Sequence, residues 1–271
     1  MRIAIAIPVY KEVMTDDERR SLQQCVSVLR TYDTFLVCPE GMDTKAYDAA
    51  AGRGMASRRF DPHFFEGLAG YNELMMSSAF YDAFADYDYL LIYQLDAWVF
   101  SDELTHWCSL GYDYVGAPWF EGNGSHGEGC RLWCVGNGGL SLRRLEKFRQ
   151  LTRLKPYTKV KTCREVFRDE YHGVHDLGRC LVRCLGPWIG TNSIRHVRKN
   201  EQEDLYFCVA LRGTRFQLRV PTPEEAARFA FERSPQYLYE EVTQRRLPFG
   251  CHAWRRYRYA DFWKTFIPAL D

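Results

Sequence analysis

Arg2-Ile-Ala-Ile-Ala-Ile-Pro8 is a short apolar run that Pro8 stops. A run of this length, ended by a residue that cannot donate to a sheet ladder, reads as a buried strand. Asp16 to Arg30 follows, with Leu22, Cys25, Val26 and Leu29 at the i, i+3, i+4, i+7 positions of one helix face. Thr15 or Asp16 stands where a cap belongs. Thr34 to Cys38 is a second short strand, closed by Pro39-Glu40-Gly41. Strand, helix, strand in that order predicts a crossover, a parallel sheet and an α/β fold.

Working outward, residues 41 to 70 are polar, rich in Gly and Asp, and without a clear period. Tyr71 to Phe84 reads as one helix with Met76, Phe80, Ala83 and Phe84 on a face. Asp86-Tyr-Asp-Tyr89 leads into a buried strand, Leu90-Leu-Ile-Tyr-Gln94, which ends at Leu95-Asp96-Ala97-Trp98. Tyr112 to Gly116 reads as a further strand, and Glu121 to Gly129 as a glycine-rich loop around His126. Val135 to Leu142 carries Gly-Asn-Gly-Gly, then a strand or turn into a helix from Arg143. Asn200 to Leu211 reads as a helix and Arg215 to Val220 as a strand ended by Pro221. No internal repeat or low-complexity linker interrupts residues 1 to 271, so one domain is expected.

The 271 residues carry 36 Lys and Arg against 35 Asp and Glu, a net charge of +1. That balance excludes the basic excess of a dedicated nucleic-acid binder. A hydrophobic content of 46% excludes a disordered chain. The apolar runs are far too short for a membrane span, and no leader-like segment is read at the start. Ten scattered Cys, with no Cys-x-x-Cys repeat, are expected to be reduced thiols rather than a zinc site or a disulfide scaffold. A cytoplasmic protein is the expectation.

Four segments carry candidate chemistry. Asp96 puts a carboxylate at the carboxyl end of a central strand, where α/β sheets bind ligands; its plain reading is a turn former. Gly136-Asn-Gly-Gly139 offers backbone without obstructing side chains, or an ordinary tight turn. Glu203-Asp204 offers a general base for an acceptor hydroxyl; the plain reading is charge at a helix N-terminus. His252 can ligate a divalent metal through a neutral imidazole, though a lone His is more often a packed residue.

Taken together, these segments resemble nucleotide-sugar glycosyltransferases of the GT-A type. The order of motifs is similar to that of β-1,4-galactosyltransferases: an Ile-Pro strand end, an Asn at a helix start, an acidic motif after the central strand, a Gly-Gly-x-Ser segment, a Glu-Asp pair and a late His. Gly70-Tyr71-Asn72, Tyr93 to Phe100, Gly116-Ala-Pro-Trp119, Gly136-Asn-Gly-Gly and Pro248 to Trp254 also look like a largely uncharacterised family, a domain of unknown function with a glycosyltransferase-like fold. The resemblance runs from Ile3 to about Trp254.

The resemblance implies a GT-A-like, Rossmann-like mixed sheet, mainly parallel and flanked by helices. It implies a donor-nucleotide half over about 1–100 and an acceptor and catalytic half over about 101–271. Pro8, Val9 and Tyr10 would line the base and ribose, Asn72 would reach the nucleotide, and Gly138 and Gly139 would border sugar and acceptor. Asp204, or Glu203 beside it, would be the catalytic base. Asp96 and His252 would hold Mn²⁺ or Mg²⁺. Trp98, however, stands where the family's second carboxylate belongs, so Lys11, Arg143 or Arg255-Arg256 are the alternative partners of a leaving diphosphate. The expected partners are a nucleotide sugar, with uridine the commonest base, and a glycan or lipid-linked glycan acceptor. The basic, aromatic tail Trp254 to Lys264 is expected to pack its rings on the core as a terminal helix. Peripheral contact at the inner face of the membrane is its second reading. A nucleotidyltransferase, a sugar-nucleotide hydrolase, and a non-catalytic carbohydrate- or nucleotide-binding domain are the competing functions.

Overall fold

A computed structural model describes residues 1–121, 131–153, 163–189 and 202–267. Strand β1 (Ile3–Pro8) leads to helix α1 (Asp16–Val28) and strand β2 (Asp33–Pro39), then α2 (Lys45–Ala51), β3 (Ala56–Phe60), α3 (Gly67–Met75), α4 (Ser78–Asp82) and β4 (Tyr89–Tyr93). The chain continues through β5 (Trp98–Val99), α5 (Leu104–Ser109), β6 (Tyr114–Val115), β7 (Pro118–Phe120), β8 (Leu132–Val135), β9 (Leu140–Arg144) and α6 (Leu145–Arg153). The main sheet runs β3-β2-β1-β4-β9-β6. Its β1–β2, β1–β4 and β2–β3 pairs are parallel, and β9 lies antiparallel to both β4 and β6. The fold is therefore mixed α/β with a mainly parallel sheet.

The first strand explains why helices cover both faces. Ile3, Ile5 and Ile7 point to one side and pack with Leu22, Cys25 and Leu29 of the α1 region. Ala4 and Ala6 point to the other and pack with Leu74, Phe80 and Phe84 of the α3–α4 region. Alternate residues of a strand face opposite ways, so both faces of β1 are apolar and both need cover. Thr15 caps α1: its side chain accepts from the Glu18 N–H, and Glu18 accepts from the Thr15 N–H.

Strands β2 and β4 flank β1 on opposite sides, so the chain reverses its direction of travel across the sheet between β1 and β4. Crevices form at the carboxyl ends of strands at such a switch point. Pro8 and Gln94 stand at those ends.

Several local expectations are corrected. Tyr71 to Phe84 is two helices, because Ser77 interrupts the run and its Oγ accepts from the Phe80 N–H as the cap of α4. Residues 41 to 70 contain α2, β3 and the start of α3. Strand β3 is an edge strand with polar Ser57, Arg58 and Arg59, so it lacks a hydrophobic signature. Arg215 to Val220 is not a strand; Arg219 pairs with Asp113 just before β6, accepting from the Asp113 N–H through its carbonyl and donating its own N–H to the Asp113 carboxylate. Of the helix expected over 200–211, residues 200 and 201 lie outside the described residues, and the rest is a short turn, Glu203–Leu205, running into a π-helical turn, Tyr206–Ala210. The tail is not a helix but turns followed by a 3-10 turn, Trp263–Thr265. Arg258 there has φ 63°, which breaks a helical run, while Trp254 and Trp263 are buried as expected. Of the expected glycine loop at 121–129, residues 122–129 lie outside the described residues. Among the described residues, no helix is long and apolar enough to cross a membrane, and the cysteines are free thiols.

Candidate active site

Two cavities adjoin at the carboxyl ends of β1 and β4, sharing Leu68, Tyr71 and Gln94 in their walls. The first, about 490 Å³, is lined by Pro8, Val9, Tyr10, Lys11, Phe64 and Asp96 among others. Its wall is largely apolar, and the Tyr10 ring is 66% exposed at the rim. The second, about 340 Å³, is lined by Asn72, Gly138, Gly139, Glu203, Asp204 and His252 among others. Each residue expected to bind donor, acceptor or metal thus borders one of these two adjoining spaces, while Arg143 and Arg255 line neither. Asn72, expected toward a nucleotide, is in the second cavity, and its Oδ1 accepts from the Glu203 N–H at 3.1 Å.

The loop between β8 and β9 organises the second cavity. Asn137 takes φ 68°, and its Oδ1 accepts from the Gly139 N–H at 3.0 Å, a self-contained turn. The Gly138 N–H donates to Asp204 Oδ2 at 3.1 Å, and the Leu205 N–H donates to Asp204 Oδ1 at 2.8 Å. The glycines admit side chains as well as open the cavity. A Cβ on Gly138 would overlap Glu203 Oε1, and one on Gly139 would overlap the His252 ring. Gly139→Ala is therefore expected to push His252 away from its partners and to cost about 1–3 kcal/mol of stability, the usual cost of overpacking. Chemical denaturation of the variant checks this.

Glu203 and Arg143 form a buried ion pair beneath this loop, 2% and 0% exposed, with Nη2 to Oε1 at 2.7 Å. Arg143 also donates to Ser141 Oγ and Tyr81 Oη, and its guanidinium lies over the Tyr114 and Phe148 rings. Such an arginine cannot meet a leaving diphosphate, which corrects one candidate. Glu203 Oε2 is buried without a hydrogen-bond partner. Burial outweighs the neighbouring guanidinium and pushes the Glu203 carboxyl up to about 7. A carboxyl raised in the folded state stabilises the fold below its unfolded pKa, and that contribution is lost as pH rises through the folded one. Wild type is expected to lose on the order of 3 kcal/mol more than Glu203→Gln between roughly pH 4.5 and 7. Paired denaturation curves across that range measure it. The Asp204 carboxyl is also held high, by burial, against the lowering pull of its two backbone N–H partners.

His252 joins the two cavities. Its Nε2 is 3.1 Å from Asp96 Oδ1 and 3.2 Å from Gln94 Oε1, and its Nδ1 is 3.4 Å from Glu232 Oε1. The two carboxylates outweigh burial and hold its pKa at about 10, while His252 pulls that of Asp96 down against burial. Trp98 is turned away, buried against Trp254. Gln94 stands at the position opposite the imidazole.

A model of the DUF5672 family, described as a protein of unknown function, matches residues 54–252. The chain belongs to that family. The match runs from the edge strand β3 to His252 and takes in both β4 and the Gly136–Gly139 loop. No curated protein matches the sequence. Among solved structures, the chain is similar to galactosyltransferase LgtC in complex with donor and acceptor sugar analogues, at 13% identity and TM-score 0.48, over 92% of this chain and 86% of that one. It is also similar to core-mannan synthase A from Aspergillus fumigatus in its Mn/GDP form, at 9% identity and TM-score 0.41, over 55% of this chain and 61% of that one.

The donor set tests the fit of a divalent cation. Neighbouring donors on an octahedral Mg²⁺ with bonds of about 2.1 Å lie about 3 Å apart. Asp96 Oδ1 and His252 Nε2 have that spacing as an ion pair, so His252 would have to give up its Nε2 proton before a cation could lie between them, with Glu232 behind the far ring nitrogen as an outer carboxylate. One carboxylate leaves positions for phosphate oxygens and water, the usual way Mg²⁺ is shared between a protein and a nucleotide, while the imidazole is a softer donor than Mg²⁺ favours. Among the described residues, no group of three His, Cys, Asp or Glu is arranged to hold a metal alone.

Of the cationic candidates, Arg256 lines the second cavity, and its charge acts on Asp96. Lys11 lines the first cavity but pairs with Glu18 at 2.9 Å. Arg255 pairs with Asp17 through two hydrogen bonds of 2.7 Å. Glu232, Arg233 and Trp133 border the second cavity and were not legible as site residues. Trp133 and the adjacent Glu232-Arg233 lie in stretches without a motif, and only the fold brings them to the wall of Asp204's cavity.

Proposed function

We propose that this chain is a glycosyltransferase that moves a hexose from a nucleoside diphosphate, with uridine the expected base, to a hydroxyl of a glycan or lipid-linked glycan. The observation that carries the reading is the pair of connected cavities at the β1–β4 switch point, one apolar and aromatic, the other holding a semi-buried carboxylate. In this reading Pro8, Val9 and Tyr10 hold the base and ribose. Asp96 lies by the diphosphate, and the sugar passes Gly138 and Gly139 into the second cavity.

Asp204 is the base. Its carboxylate takes the proton of the acceptor hydroxyl as that oxygen bonds to the anomeric carbon, and the carbon–phosphate oxygen bond breaks, which inverts the anomeric centre. A carboxyl held high by burial is better matched to a proton near neutrality than an ordinary aspartate. Glu203 is less suited to the role, since one oxygen is bound by Arg143 and the side chain is 2% exposed. The departing diphosphate gains negative charge, and Arg256, which shares the cavity wall with Arg233 and whose charge acts on Asp96, is placed to meet it. Where Mn²⁺ or Mg²⁺ participates, Asp96 and His252 would hold it, and its positive charge would offset that of the diphosphate.

The test is release of nucleoside diphosphate from a panel of nucleotide hexoses, with and without Mn²⁺ and a mixed glycan acceptor. Acceptor-stimulated release from one donor supports the reading. Cleavage at equal rates with and without acceptor points instead to a hydrolase, and no cleavage of any donor counts against catalysis.

A further inference from the structure

The second cavity has a wall that the mechanism above does not use. Trp119 on β7 and Trp133 on β8 both line it, with ring centroids 6.5 Å apart and planes only 22° from parallel. Regular antiparallel pairing would not give this arrangement. Trp119 lies opposite Cys134, so the residue beside Cys134 should face the other side of the hairpin. The register is Trp119 with Cys134 and then Phe120 with Leu132, so Trp133 is the extra residue of a β-bulge. Bulges re-aim side chains and are common beside active sites. This one brings the Trp133 ring alongside Trp119 and leaves it 42% exposed.

The inner ring is seated firmly. A Cβ on Gly136 would overlap the six-membered ring of Trp119, so that ring rests on bare backbone next to the loop that binds Asp204. The same cavity is also lined by polar side chains of both kinds, including Gln202, Glu232 and Arg256. An aromatic face bordered by amide, carboxylate and guanidinium groups suits one chemistry well. A pyranose turns C–H bonds toward the negative face of a ring and its hydroxyls toward the polar border.

We propose that Trp119 and Trp133 form a stacking platform for a pyranose ring of the acceptor, which makes the acceptor a glycan rather than a simple alcohol or a protein side chain. This rests on the reading of the first cavity as the nucleotide site. With the base and ribose there, the platform lines Asp204's cavity and not the nucleotide's, as a site for the attacking hydroxyl must.

Saturation-transfer NMR on the full chain tests the platform. The probes are methyl β-D-glucopyranoside, methyl β-D-galactopyranoside and methyl α-D-mannopyranoside, with sorbitol as an open-chain control that has hydroxyls but no ring face. UDP in the same tube reports on the first cavity. At least one pyranoside is expected to receive saturation and sorbitol none. Trp133→Ala is expected to weaken that binding about three- to tenfold, the size of one aromatic contact, and Trp133→Phe to restore most of it. Absence of saturation on every pyranoside, equal saturation on sorbitol, or unchanged binding in Trp133→Ala would overturn the proposal. A UDP signal without a pyranoside signal defeats the platform and leaves the nucleotide reading standing. A pyranoside signal that depends on Trp133, without a UDP signal, supports the platform and counts against the nucleotide reading.

Discussion

Asp204→Asn is expected to lower sugar transfer by roughly 10²–10⁴-fold, the contribution of a positioned general base, and to leave nucleotide binding unchanged. The substitution keeps one accepting oxygen in place of two, so it also loses either the Gly138 or the Leu205 N–H bond, and a denaturation curve of the variant checks that the fold tolerates this. What it removes is the basic oxygen. The nucleotide is assigned to the other cavity, whose wall does not include Asp204, so its affinity should not move. Kinetics of transfer set beside calorimetric titration of the nucleoside diphosphate separate the two effects. Wild-type rates in the variant would remove Asp204 from the mechanism. Equal loss of binding and rate would make it a structural residue.

The second large effect is on stability. Arg143→Met is expected to destabilise the fold by about 3–5 kcal/mol, because it leaves Glu203 buried without its cation. At about 2–4 °C per kcal/mol for a chain of this size, the melting temperature should fall by roughly 10 °C. Size alone does not explain such a loss, since methionine fills much of the same volume. The double variant Arg143→Met with Glu203→Leu separates charge from packing. Removing both charges should recover a large part of the loss, as replacement of whole buried ion pairs by apolar groups commonly does. A double variant no more stable than Arg143→Met would show that the hydrogen bonds to Tyr81 and Ser141 matter more than the pair.

The parts of this molecule that sequence could reach are those where one residue type has one physical meaning. The alternation Ile-Ala-Ile-Ala-Ile in β1 states two buried faces, and from that follows a sheet covered on both sides. Asp96 at the end of the apolar β4 and the glycines at 136, 138 and 139 stood out because such residues are costly or unusual where they sit. Edge strand β3 was hidden because an edge exposed to water needs no apolar pattern. The break at Ser77 was hidden because a serine in a helix and a serine capping the next one look alike. Arg143 reads as a free cation in sequence and is fully buried in the fold. The Trp133 bulge and the approach of Glu232 to His252 depend on strand register and long-range packing, which local spacing does not encode.

Thermal denaturation with a panel of nucleoside diphosphates tests whether the cavity lined by Pro8, Val9 and Tyr10 takes a nucleotide. A ligand that binds only the folded state must raise the melting temperature. The account predicts a rise with at least one nucleoside diphosphate, uridine first, retained in Asp204→Asn and diminished in Tyr10→Ala. No rise with any of them, or a rise that ignores Tyr10 and vanishes with Asp204, would contradict the assignment of the two cavities.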